Sequence, residues 1–105
     1  MLQVERYNNN YRLSFRETDK FNVYNAKEVE KELMEYVQKP SSRVTLYLNG
    51  VSFIDSSAFE SLLRVLRSAK INNVDFQLAN ISDGAMELIK LMQLENVFHI
   101  HKNNL

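Results

Sequence analysis

The residues best suited to chemistry are one carboxylate and two hydroxyls in succession, Asp55-Ser56-Ser57. They follow the turn Gly50-Val51-Ser52-Phe53-Ile54 and open an apolar helical stripe. Two uses fit that composition. The first is helix capping: Ser57 followed three residues later by Glu60 is a capping-box pattern, and Asp55 or Ser56 could serve the same orphan amides instead. The second is a regulatory phosphoacceptor, because a phosphoserine at a helix amino end meets free amides and the positive end of the dipole. The added charge of roughly −1.5 to −2 would leave such a helix folded and act outward on a docked partner, with Asp55 sharpening the repulsion.

Other chemistries find less support. A serine hydrolase reading of Ser56 or Ser57 lacks the GxSxG elbow and an oxyanion motif. His99 and His101, two apart on one strand face, have the spacing of a shared metal, yet no third ligand stands nearby in the sequence. They read as ordinary strand-end polar residues. A phosphorelay receiver with Asp55 as acceptor needs an acidic pair after its first parallel strand, and the corresponding stretch is Arg16-Glu17-Thr18-Asp19. Gly50 and Gly84 are the only glycines, so no glycine-rich phosphate loop can be written. With no cysteine, thiolate metal sites, disulfides and thiol nucleophiles are excluded.

The chain has 105 residues, with 13 basic against 13 acidic side chains and 45% hydrophobic residues. That is the length of one domain, 1–105, and the composition of a globular one. Zero net charge gives no field to gather nucleic acid. The start, Met1-Leu2-Gln3-Val4-Glu5-Arg6, is not a signal sequence, and no apolar run approaches the roughly 20 residues of a membrane span. A cytoplasmic location without membrane insertion is expected.

The elements that must position Asp55-Ser56-Ser57 follow from periodicity. Leu2, Val4 and Arg6 alternate with polar neighbours, as do Tyr11, Leu13 and Phe15, and Asn8-Asn9-Asn10 between them reads as a hairpin turn. Ala26, Val29, Leu33 and Val37 form one stripe of a helix from Asn25 to about Lys39, which Pro40 ends. Val44 to Leu48 suits a central strand covered on both faces. A second helix carries the stripe Phe59, Leu62, Leu63, Leu66 and Ala69 and stops at Asn72-Asn73. A strand over 74–78, a helix from Ser82-Asp83-Gly84 and a last strand over 97–100 complete the order ββαβαβαβ. This is an α/β fold with a mixed, mostly parallel sheet and helices packed against it. Right-handed crossovers would bring the turns 19–25, 49–57 and 80–84 to one edge, where Tyr24, Phe53, Phe59 and Met86 serve as docking or packing residues.

Leu46-Tyr47-Leu48-Asn49-Gly50-Val51-Ser52-Phe53-Ile54-Asp55-Ser56-Ser57-Ala58 resembles the strand and loop of STAS domains, the family of anti-sigma factor antagonists and the cytoplasmic tails of sulphate transporters. Asn22-Val23-Tyr24-Asn25-Ala26-Lys27-Glu28-Val29 is similar to that family's entry to its first helix. The resemblance covers essentially the whole chain. It implies a binding module, not an enzyme, with no cofactor. It places the phosphoacceptor at Ser56 and a partner-facing edge at Asp55, Ser57, Ala58, Asn22 and Asn25. The implied partners are an anti-sigma factor that is also a serine kinase, and a serine phosphatase that resets the switch. Phosphorylation would break the kinase complex and so control sigma-factor-dependent transcription. Two positions depart from the family: Ala58 replaces a glycine, its methyl standing where a partner backbone approaches, and Asp19-Lys20-Phe21-Asn22 replaces Gly-Glu-Leu-Asp. A different use of the same fold is a phosphorylation-independent adaptor subunit of a lipid-transport ATPase, with Ser56 only a helix cap.

Overall fold

Alternating stretches at the amino terminus form an antiparallel hairpin in the computed structural model, which describes residues 1–101. Strands β1 (Leu2–Tyr7) and β2 (Asn10–Phe15) pair with Tyr7 opposite Asn10, leaving Asn8-Asn9 as the turn. Asn8 takes the left-handed conformation, φ 56°, which asparagine tolerates better than most side chains. The short β3 (Lys20–Phe21) precedes helix α1 (Ala26–Tyr36), which buries Ala26, Val29 and Leu33 and stops short of Lys39. Strand β4 (Arg43–Tyr47), the two-residue β5 (Phe53–Ile54) and helix α2 (Ser56–Ile71) follow. Strand β6 (Asp75–Ala79), helix α3 (Asp83–Leu91) and strand β7 (His99–His101) complete the described chain.

The main sheet runs β1-β2-β4-β6-β7 among the described residues, with β1 antiparallel and every other neighbour parallel. Each parallel connection advances one strand in the same direction. Right-handed crossovers of that kind put α1, α2 and α3 on a single face. Leu13, Val44, Leu46, Phe76 and Leu78 point into that face and are buried with Val29 and Leu33 of α1 and Leu62 and Val65 of α2. The expectation that β4 is covered on both faces is therefore corrected. Helices cover its Val44 and Leu46 side only, while Thr45 and Tyr47 lie on the opposite face, flanked in register by Arg12, Ser14, Gln77 and Ala79.

A further correction concerns α2. The buried side of α2 includes Ala58, Phe59, Leu62, Val65, Leu66 and Ala69, so Val65 belongs to the stripe and Leu63 is only half-buried. The order ββαβαβαβ holds for the main sheet and its helices, and the two-residue β3 and β5 add a small parallel pair, Lys20 with Phe53 and Phe21 with Ile54.

With so few glycines, asparagine and glutamine fill the left-handed positions after two helices. Past α2, Asn73 has φ 57° while Val74 N donates to Ala69 O and Asn73 N to Lys70 O. Past α3, Gln93 has φ 59°, with Leu94 N donating to Ile89 O and Gln93 N to Lys90 O. Both are Schellman endings built without glycine. Leu46 lies wholly buried at the centre of the helix-covered face. Leu46→Ala is expected to lower unfolding free energy by about 2–5 kcal/mol, read from the midpoint shift in urea denaturation.

Candidate functional site

The carboxyl ends of β2, β4 and β6 lie side by side, so the loops that leave them share one edge. Hydrogen bonds stitch those loops together. Asp19 O accepts from Ser52 N at 2.9 Å and from Phe53 N at 3.3 Å, and Phe21 O accepts from Asp55 N at 3.3 Å. Asn80 Nδ2 donates to Asn49 Oδ1 at 2.8 Å, which joins the third loop to the second. Gly50 supplies a left-handed turn, φ 77°, after β4.

Asp55 is the N-cap of α2. Its backbone is extended, and Oδ1 accepts from Ala58 N at 3.0 Å. Its second oxygen, Oδ2, accepts from Val23 N at 3.0 Å, across to the loop before α1. The Ser57–Glu60 capping box does not form, because the helix begins at Ser56 and Ser57 already lies within its first turn. One carboxylate thus satisfies an orphan helix amide and holds a neighbouring loop.

Ser56 is the first residue of α2, is exposed, and its hydroxyl makes no hydrogen bond among the described residues. The amides of Ser56 and Ser57 likewise donate to no protein acceptor, since Asp55 is engaged with Ala58 and Val23. Ser57 is half-buried. Ala58 has no exposed surface, and its methyl points into the core beside Phe59 and Leu62. Its expected place on the partner-facing edge is corrected: the side chain meets the core, and only its amide serves the site, through Asp55.

Asn22 and Asn25 spend their side-chain oxygens inside their own loop. Asn22 Oδ1 accepts from Tyr24 N at 3.0 Å, and Asn25 Oδ1 accepts from Asn22 N at 2.9 Å while its Nδ2 donates to Lys20 O at 2.8 Å. These two asparagines shape the loop, and the residues they push outward are Val23 and Tyr24. Tyr24 is 93% exposed, Val23 59% and Phe53 51%. The pairing of β3 with β5 and the Asp55–Val23 bond bring these three to the Ser56 end of α2. Of the four aromatic and sulfur side chains expected at this edge, Tyr24 and Phe53 are exposed and Phe59 and Met86 are buried. The exposure of Val23 was missed, and its position in a short polar loop was the available signal.

The remaining candidates lie elsewhere. His99 and His101 on β7 have ring centroids 4.5 Å apart with their planes tilted by 47°, and His99 Nδ1 lies 3.6 Å from Asp75 Oδ1. No group of three metal-ligating side chains is gathered among the described residues. Arg64 is paired within the chain, its Nε donating to Glu30 Oε1 of α1 at 2.9 Å. No described helix is long and apolar enough to cross a membrane.

The model of the STAS domain family matches residues 1–104, and the chain belongs to that family. Among solved structures it is similar to an anti-sigma-factor antagonist (STAS) domain protein from Planctomyces limnophilus. The two share 19% identity with a TM-score of 0.88, over 98% of this chain and 91% of that one. It is also similar to a candidate anti-sigma factor antagonist from Thermotoga maritima, at 20% identity and TM-score 0.81, over 95% of this chain and 85% of that one. The anti-sigma factor antagonist SpoIIAA in its unphosphorylated form matches at 13% identity and TM-score 0.68, over 95% and 86%. The Bacillus SpoIIAA has also been solved in a phosphorylated form. At these identities the likeness concerns the fold: three helices on a mixed, mostly parallel sheet.

Asp55→Ala removes both acceptors and is expected to cost about 1–3 kcal/mol in urea denaturation, with faster hydrogen exchange at the Val23 amide. Ser57→Ala is expected to stay within about 0.5 kcal/mol of the parent, because its hydroxyl caps nothing.

Proposed function

We propose that this STAS domain is an anti-sigma factor antagonist, a non-enzymatic binding module switched by phosphorylation of Ser56. The observation that carries the reading is an exposed Ser56 hydroxyl with no hydrogen bond, beside two undonated amides at the amino end of α2. The unmodified edge binds an anti-sigma factor that is also a serine kinase, and so frees the sigma factor to direct transcription. Val23, Tyr24 and Phe53 supply an apolar contact around the serine, and partly exposed Ser57 supplies a polar one. Asp55, Asn22 and Asn25 act by holding those residues in place.

Phosphate on Ser56 adds roughly two negative charges at a helix end that tolerates them, so the fold persists and the docked surface changes sign. The kinase complex then dissociates, and a serine phosphatase restores the active form. The domain works in the cytoplasm. Nearness to zero net charge makes a single phosphate a large fractional change in what a partner meets.

Incubation with ATP and a serine-kinase anti-sigma factor from the same genome, followed by mass spectrometry, is expected to locate one phosphate on Ser56 and none in Ser56→Ala. Phosphate on Ser57, or on neither serine, contradicts the assignment. Ser56→Asp is expected to bind the kinase at least tenfold more weakly, about 1.4 kcal/mol, at unchanged fold stability. Tyr24→Ala is expected to weaken the same complex by a similar factor. Unchanged affinity in Ser56→Asp would instead favour a constitutive adaptor.

A further inference from the structure

The sheet face opposite the helices carries its own polar layer. Register places Glu5, Arg12, Thr45, Gln77 and His99 in one row across the five strands. Much of this layer is internally paired. Arg43 Nε donates to Asp75 Oδ2 at 3.1 Å, Gln77 Nε2 donates to the same oxygen at 2.7 Å, and Tyr7 Oη donates to Glu5 Oε2 at 3.1 Å.

One hollow on this face is lined by donors of which, among the described residues, only Arg43 is paired, through its Nε to Asp75. It has a volume of about 50 Å³ and is lined by Asn10, Arg12, Arg43, Thr45 and Tyr47. Arg12 stands directly opposite Glu5 in the register but makes no ion pair with it, and its guanidinium lies 5.0 Å from the centre of the Tyr7 ring. Arg43 uses only Nε, so its terminal amines donate to no acceptor among the described residues. Thr45 is only 3% exposed, and its hydroxyl has no hydrogen-bond partner among the described residues. The hydroxyl itself still touches solvent, and a ligand acceptor in the hollow would take the place of that solvent. The Asn10 amide and the Tyr47 hydroxyl are also unpaired among the described residues.

We propose that this hollow binds a phosphate group. Thr45 forms the floor, Arg12 approaches laterally from β2, and Arg43 and Tyr47 stand before and after Thr45 along β4. Donors from two adjacent strands therefore line one hollow. A planar carboxylate engages donors in its own plane, whereas the tetrahedral oxygens of a phosphate match this array, with Arg12 supplying a free charge and Arg43 one that it shares with Asp75. The volume suits one such group and leaves no room for a base or sugar beneath it. The site faces away from α2 and is independent of Ser56.

Titration of the ¹⁵N-labelled full chain with inorganic phosphate, at constant ionic strength, tests this. Saturable shifts are expected at Arg12, Arg43, Thr45 and Tyr47, with binding at least tenfold tighter than for acetate. Arg12→Gln and Thr45→Val are each expected to weaken it tenfold or more, while Arg67→Gln on α2 leaves it unchanged. Phosphoserine as a second probe separates the sources: tighter binding than inorganic phosphate assigns the hollow to a phosphorylated molecule, and weaker binding to the free ion. Absence of saturable shifts, acetate binding as tight as phosphate, or binding undiminished in Arg12→Gln overturns the proposal. Arg12 is exposed, so that variant remains informative if Thr45→Val fails to fold.

Discussion

The Asp55 carboxylate receives an amide from each of two chain segments that are far apart in sequence, and the candidate site depends on that double acceptance. Oδ1 fixes where α2 begins, and Oδ2 fixes where the loop before α1 sits. Neither job is unusual alone. Together they set Ser56 at the first helical position, free of capping duty, with Val23 and Tyr24 beside it. The two-residue ladder of β3 and β5 reinforces the arrangement with backbone bonds, so the edge is held from below by main chain and from above by a single side chain. A platform of this kind can accept a new charge at its tip without losing shape, since no part of its scaffold runs through the Ser56 hydroxyl.

The one-sided placement of the helices gives the domain two faces of different chemistry. Beneath the helices lies the apolar core, sealed by residues such as Leu13, Leu46 and Leu78. On the other face the same strands present Arg12, Thr45, Tyr47 and Gln77, with Thr45 and Gln77 buried by side-chain neighbours although no described helix covers them. Strand alternation is the cause: every residue that points its neighbour into the core must itself point out.

Much of this was readable from residue types. Period-two alternation located the hairpin, period-three-to-four stripes located the helices, and the strand and helix sequence placed three loops on one edge. The segments β3 and β5 escaped because two residues make no period, and their pairing exists only once the loops are brought together. The capping box at Ser57 and Glu60 is a valid local pattern that lost to Asp55, whose extended backbone starts the helix sooner and whose second oxygen gains a distant amide. Ala58 was misplaced for a rotational reason: once the helix starts at Ser56, position 58 turns toward Leu62 and Val65, in the core. The polar hollow over Thr45 had no sequence signal, because β2 and β4 must pair before Arg12 and Thr45 become neighbours.

The stepwise strand order also bears on how the chain reaches this structure. No strand has to be inserted between two others that paired earlier. Each βαβ unit closes a loop of moderate length against the strand just before it in space, so the entropy of closure is met in similar instalments and never in one large step. Growth can begin at the β1–β2 hairpin and add one unit at a time, ending with β7 at the far edge of the sheet among the described residues.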